Sequence, residues 1–290
     1  MDAPEGQGPF AWQPLTPRGV AAFADASLGR VVIVQVIVAS LLAGVLLWFL
    51  STCWFPVLRQ SIENLPETGQ IRSGILEWPG STPTLLAENH FLAVTVDVSN
   101  SGLRRSTAQV SAEFARSGLR IYSLLGFADW SYPPRRNVPF NRHDLIPWWG
   151  AWKPVLLAAA AALCVSALMI AWWLLATLYC LPVRLVGFLT DRAVTLASSW
   201  RLSAAALLPG ALFMGGCFLL YRLAYLDLIR LALGWAIHLA IGWIYLFLAL
   251  INTPRVSAGR KPVANPFIPG EAAATSGKEN KLTEKDPERD

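Results

Sequence analysis

The stretch YRLAYLDLIR (Tyr221–Arg230) sets Arg222, Asp227 and Arg230 between two long apolar runs, and His238 follows inside the second run. Charges in such surroundings either form a buried site, able to hold an ion or move a proton, or mark a wet corner between two helices. Length separates the two readings. As one helix, residues 203–251 would be about 73 Å long at 1.5 Å per residue. That is more than twice the ~30 Å of a hydrocarbon core, so the chain must turn near its polar cluster. Three charges at the bilayer centre would cost about 2.5–3.5 kcal/mol each, whereas a headgroup boundary costs little. Asp227 and Arg230 also sit three apart, a spacing that pairs them on one helix face. The expectation is a hairpin corner with all three charges at the interface. Its turn has no evident breaker, because neither Gly nor Pro occurs between Cys217 and Leu233.

His238 is an ionisable residue within an apolar run and so a functional candidate. It has no carboxylate or second ligand at i±3 or i±4, and the expected state is a neutral imidazole hydrogen-bonded to a neighbouring helix. His143 precedes Asp144 directly, and adjacent residues seldom face the same way, which makes a poor acid–base dyad. His90, His143 and His238 show no metal-ligand spacing. Cys53, Cys164, Cys180 and Cys217 lie in or beside apolar segments, with no C-x-x-C pair, and read as packing residues. Phosphate-loop, nucleophile-elbow and zincin signatures do not occur. No catalytic residue, metal or cofactor is therefore expected.

The elements that must position these residues are apolar blocks. The 290-residue chain is 54% hydrophobic and 15% charged, with mean hydropathy +0.43, where a soluble domain carries about a quarter charged residues. Blocks of about twenty apolar residues match a membrane-crossing helix, and four are expected: 31–55, then about 155–181, 203–221 and 231–251. Trp48, Trp54, Trp148, Trp149 and Trp152 stand at block ends, the place of interfacial anchors. The net charge of +5 comes from basic residues flanking those blocks, which suits lipid headgroups and topology rather than nucleic acid. Residues 183–202, with Arg184, Arg192 and Arg201 among apolar side chains, read as an interfacial amphipathic helix. Residues 1–30 read as a polar N-terminal segment and 252–290 as a disordered tail.

Residues 56–152 differ in character. FLAVTVDVS (Phe91–Ser99) alternates Leu92, Val94, Val96 and Val98 with Ala93, Thr95 and Asp97, the period of a half-buried strand. AQVSAEFA repeats that pattern, GILEWPG reads as a short strand and turn, and LRIYSLLGF reads as one further strand. The expectation is a small β-rich domain with an antiparallel sheet. Taken together, the fold class is an α-helical polytopic membrane protein with four transmembrane helices and a β-rich extracytoplasmic insert.

Orientation follows from counting. One side of the four spans holds Arg18, Arg30, Arg184, Arg192, Arg201, Arg255, Arg260 and Lys261, while the opposite short loop holds Arg222 and Arg230. Cytoplasmic loops collect Lys and Arg, so both termini are expected in the cytoplasm. The stretch SSWRLSAAALLPGALF (Ser198–Phe213) has a basic amphipathic lead-in, a small-residue run and a Pro inside the next span. It resembles the Yip superfamily of membrane proteins, including bacterial relatives with an extracytoplasmic insert after the first span. The resemblance covers about a third of the chain, implies a bacterial inner-membrane setting and brings no catalytic residues. Its order of elements is similar too, although the Trp-rich insert boundary departs from it.

These features suggest a non-enzymatic accessory or structural subunit, packed against the lipid bilayer and other membrane proteins or a second copy. The alternative is a small transporter or lipid-handling protein using Arg184, His238 and Asp227 inside a bundle cavity. An enzymatic reading rests only on His143 and Asp144.

Overall fold

The computed structural model describes residues 12–100 and 106–255. Six α-helices occur among them: α1 (Pro17–Ala22), α2 (Leu28–Phe49), α3 (Phe55–Glu63), α4 (Arg142–Leu189), α5 (Leu196–Arg222) and α6 (Leu228–Ile251). A π-helical turn, Leu50–Trp54, joins α2 to α3 without a break. Four helices, counting Leu28–Glu63 as one, are long and apolar enough to cross a membrane.

α5 is the centre of the bundle, with α2, α4 and α6 around it. In its most apolar window 67% of the residues are buried, against 6% for α4. Small residues explain this, because Ala204, Ala205, Ala206 and Gly210 let neighbouring backbones approach. A Cβ on Gly210 would strike the His238 carbonyl oxygen of α6, and one on Gly215 would strike Leu42 of α2. Gly216, its equal in sequence, faces open space.

α4 is longer than its apolar block. It runs 48 residues, about 72 Å, from before the Trp cluster and on through Pro182. The expected separate helix over 183–202 is not present. Residues 183–189 finish α4, and the chain turns over Thr190–Thr195 before α5 begins. Asp191 takes a left-handed φ of 52°. The Arg192 amide then donates to Gly187 O (2.8 Å) and the Asp191 amide to Phe188 O (3.3 Å), which is the Schellman pattern that stops a helix. A capping box between Thr195 and Ser198 starts α5.

Both ends of the described chain are built into the bundle, which changes the expectation for residues 252–255 from disordered to packed; residues 1–11 lie outside the described residues. Val20 and Phe23 are fully buried, and the Tyr245 hydroxyl donates to Leu15 O (2.9 Å). Thr253 is buried, with its hydroxyl donating to Leu250 O (2.7 Å). The tail from residue 256 onward lies outside the described residues.

Between α3 and α4 lie two sheets. Strands β1 (Gln70–Arg72), β2 (Ile75–Glu77) and β8 (Val138–Pro139) form one, in the order β2-β1-β8. β3 (Thr84–Glu88), β4 (Leu92–Asp97), β5 (Val110–Ala115), β6 (Gly118–Ser123) and β7 (Gly126–Ser131) form the other, in chain order. Three expectations change here. The β4–β5 pair is parallel, in register from Leu92↔Val110 to Asp97↔Ala115, so the sheet is mixed. β4 is buried on both faces rather than one; its period of two marks the side chains but not what covers them. The segment LRIYSLLGF is not one strand but the two arms of a hairpin. Ser123 pairs with Gly126 across Leu124–Leu125, and Gly126 adopts φ 156°. Without an Asn-Gly or Asp-Gly pair at the bend, the apolar run hid the turn.

One core of this region joins Val57 and Leu65, from α3 and its end, to Leu86, Leu92, Val94, Val96 and Phe140. A second joins it to the helices. Phe91 lies against Phe49 (ring centroids 5.4 Å) and Tyr221 (5.2 Å), with Cys53, Cys217 and Leu231 around them.

Candidate functional site

The three charges of YRLAYLDLIR form a corner, built from the end of α5 upward. α5 ends in the same Schellman pattern as α4: Tyr225 N donates to Leu220 O (3.0 Å) and Ala224 N to Tyr221 O (2.9 Å). Ala224 holds the left-handed position, φ 60°, where Gly is usual. That supplies the turn for which the sequence offered no breaker. Asp227 then caps α6, accepting from Arg230 N (2.7 Å), and its other oxygen lies 3.6 Å from Arg230 Nε. Arg222 reaches across to α2, donating to Thr52 Oγ1 (3.2 Å) with its guanidinium 4.6 Å from the Trp48 ring centroid. Asp227 is engaged in capping α6, Arg230 pairs with it, and Arg222 links the end of α5 to Thr52 and Trp48.

His238 lines a cleft of about 250 Å³ between α2, α4, α5 and α6, together with Leu42, Cys164, Trp172, Met214 and Trp235. Its Nδ1 contacts the Trp235 carbonyl of its own helix, not a neighbouring one. The cleft is apolar, with the imidazole its one titratable ring nitrogen pair. Arg184 is exposed near the end of α4, and Asp227 caps α6 at the opposite end of the bundle. α5, 27 residues long, separates those ends by about 40 Å. Arg184, His238 and Asp227 therefore do not meet in one cavity.

A buried polar link was not evident from the sequence. Gln35 of α2 is fully buried. Its Nε2 donates to Ala204 O (3.4 Å) and its Oε1 accepts from Trp173 Nε1 (3.1 Å), tying α2 to α5 and α4. The available signal was a lone amide inside an apolar block.

At the end of the bundle holding α1, Arg201 donates to Ala26 O (2.6 Å) and Arg192 to Thr253 O. Both carbonyls border a cleft of about 830 Å³ that also meets Arg18, Asp25 and Arg30. The Arg30 guanidinium stands 5.4 Å from the Trp12 ring. Arg18, Arg30, Arg192 and Arg201 are thus among the arginines at this end.

In the sheet region, His143 Nδ1 lies 3.7 Å from Asp144 Oδ1, with the His143 side chain 92% exposed. Asp144 is occupied by the start of α4, where its amide donates to Asn141 Oδ1 (2.9 Å). Asn141 Nδ2 donates to Asp144 Oδ2 (2.8 Å), and Asp144 borders an open cleft of about 690 Å³ that His143 does not line. His90 bonds Gln109 Nε2 (2.8 Å). Glu113 and Arg120 pair at 3.4 Å on the β5–β6 face. Burial, followed by the nearby Asp97 charge, pushes the Glu113 carboxyl up against the opposing pull of Arg120. Among the described residues no group of three His, Cys, Asp or Glu is placed to hold a metal ion. The four cysteines are free thiols.

The tryptophans divide. Trp148 and Trp152 are exposed and stacked at 6.2 Å, and Trp48 is exposed beside Arg222. Trp149 turns inward onto Phe55 (5.0 Å), and Trp54 packs on Phe49 (6.2 Å). Trp149 thereby joins α4 to α3, while the Trp54 contact stays within the continuous α2–α3 helix.

The chain matches no family model, no curated protein and no solved structure.

Proposed function

We propose that the four apolar helices cross a bacterial inner membrane, with the sheet region outside and both termini in the cytoplasm. In that setting the chain is a non-enzymatic accessory or structural subunit that packs laterally against other membrane proteins. The observation that carries this reading is the outer face of α4. Leu163, Ile170, Leu174, Leu178, Leu181, Leu185 and Phe188 stand exposed along one stripe, while Trp172, Ala176, Cys180 and Val183 turn into the bundle. A stripe of this length, over about 37 Å of helix, offers a whole helix side to lipid or to a partner helix. The gathering of Arg18, Arg30, Arg192 and Arg201 at the end with the termini supports the orientation.

The test is extraction in a mild detergent followed by sizing and cross-linking from a residue placed at Leu174 or Leu178. The expected outcome is a particle larger than one chain, with cross-links from the α4 stripe to a second polypeptide. A strictly monomeric particle without cross-links in native membranes would overturn it.

A second reading, lipid handling, is favoured by the apolar cleft at His238, whose lining suits a stretch of acyl chain. Its test is loss of lipid co-purification on narrowing the cleft with Cys164→Leu in protein whose sizing profile is unchanged, and unchanged lipid content would remove it.

A further inference from the structure

We propose that the β6–β7 hairpin is a membrane-inserting tip, whose apolar end sits in the outer leaflet beside α5 and α6. The inference rests on the reading that those helices cross a bilayer.

The hairpin end is apolar and uncovered. Leu124 is 66% exposed, Leu125 64% and Phe127 60%. Tyr122 lies across from Phe127 with ring centroids 5.1 Å apart. Scattered apolar side chains on a surface need no explanation, but a contiguous group at the end of a projecting element marks an interaction site. The stem changes character two residues back. Arg120 pairs across the strands with Asp129 and Glu113, so charge begins where the apolar tip ends. That division, apolar end and charged stem, is the one an interfacial element shows.

Position selects lipid as the occupant. Leu125 borders a cavity of about 290 Å³ whose other walls are Met214 of α5 and Leu228, Leu231, Ala232 and Trp235 of α6. α6 begins at Leu228, so Trp235 lies about 10 Å along it. The tip therefore lies beside the first two turns of an apolar helix, not above its end, and Trp235, which walls the same cavity, is itself exposed. Any bilayer that covers that stretch of α6 reaches the tip. Backbone groups at the bend are partly provided for, since Leu125 N donates to Ser123 Oγ (3.2 Å) and Ser123 Oγ to Gly126 O (3.3 Å). Such internal bonding lowers the cost of leaving water.

The experiment uses the full chain in vesicles of phosphatidylethanolamine and phosphatidylglycerol. A diazirine-bearing amino acid replaces Leu124, Phe127, Ile244 or Asn137, one at a time. Ile244, exposed on α6, reports whether the helices lie in lipid, and Asn137, exposed just before β8, reports water. The expected result is lipid adducts at positions 124 and 127 that exceed those at 137 by roughly tenfold and approach those at 244. Lipid adducts at 244 with water products or chain-to-chain dimers at 124 and 127 would overturn the insertion while leaving the crossing helices intact. Absence of lipid adducts at 244 would overturn both.

Discussion

Ala224 shows how much a single backbone conformation decides. Its left-handed φ ends α5 and aims the chain back into α6, yet a Cβ in that region costs about 1–2 kcal/mol. Ala224→Gly is therefore expected to stabilise the protein by about 0.5–1 kcal/mol, after allowance for the freer unfolded chain. An upward shift in the midpoint of detergent-induced unfolding checks this. A downward shift would mean that the Ala224 methyl packs usefully at the corner. Gln35 illustrates the opposite economy of position. One amide in an apolar block satisfies a Trp173 N–H and an Ala204 carbonyl on two other helices, and that geometry exists only once the three helices are assembled.

At the level of elements, the sheet meets the bundle through the core it shares with α3 and through a small aromatic group at the ends of α2 and α5. Phe91 enters between Phe49 and Tyr221, and Asn89 beside it donates to Cys53 O (2.6 Å) while its Oδ1 accepts from the Phe91 and Leu92 amides. Phe91→Ala is expected to cost about 3–5 kcal/mol, the usual range for emptying a buried phenylalanine site. Hydrogen exchange should then rise in β4, at the end of α2 and at the end of α5, while α1 and its neighbours stay protected. Unchanged exchange at the ends of α2 and α5 would show that the sheet docks by other contacts. α4 teaches a related lesson. Three prolines lie inside it and do not stop it, because what stops an apolar helix here is a left-handed residue at its end with its carbonyls satisfied.

The whole molecule has two unlike ends. The sheet region sits at the end of the bundle where Arg222 and Asp227 close the hairpin, and the arginine-rich end carries α1 and Thr253. With the helices in a membrane, these ends face different compartments. Cysteine placed at Asn137 is expected to react with an impermeant thiol reagent added outside intact cells, and cysteine placed at Asp191 only after the cells are opened. The reverse pattern would invert the proposed orientation.

The sequence by itself determined where the long helices lie, that a strand-forming region separates the first from the rest, and that the charges of YRLAYLDLIR stand at a corner. Apolar block length and the period of two are local properties, and they are legible because a ~30 Å barrier and a pleated strand each impose a fixed spacing. Only the tertiary structure decided which faces are covered and where helices end. It buried both faces of β4, set β5 parallel to it, split LRIYSLLGF into a hairpin, carried α4 through Pro182 and folded residues 17–25 into the bundle. It also kept Arg184, His238 and Asp227 apart. Each of these depends on contacts between residues distant in the chain, or on one left-handed φ at Asp191 or Ala224, and neither leaves a periodic mark in the order of amino acids.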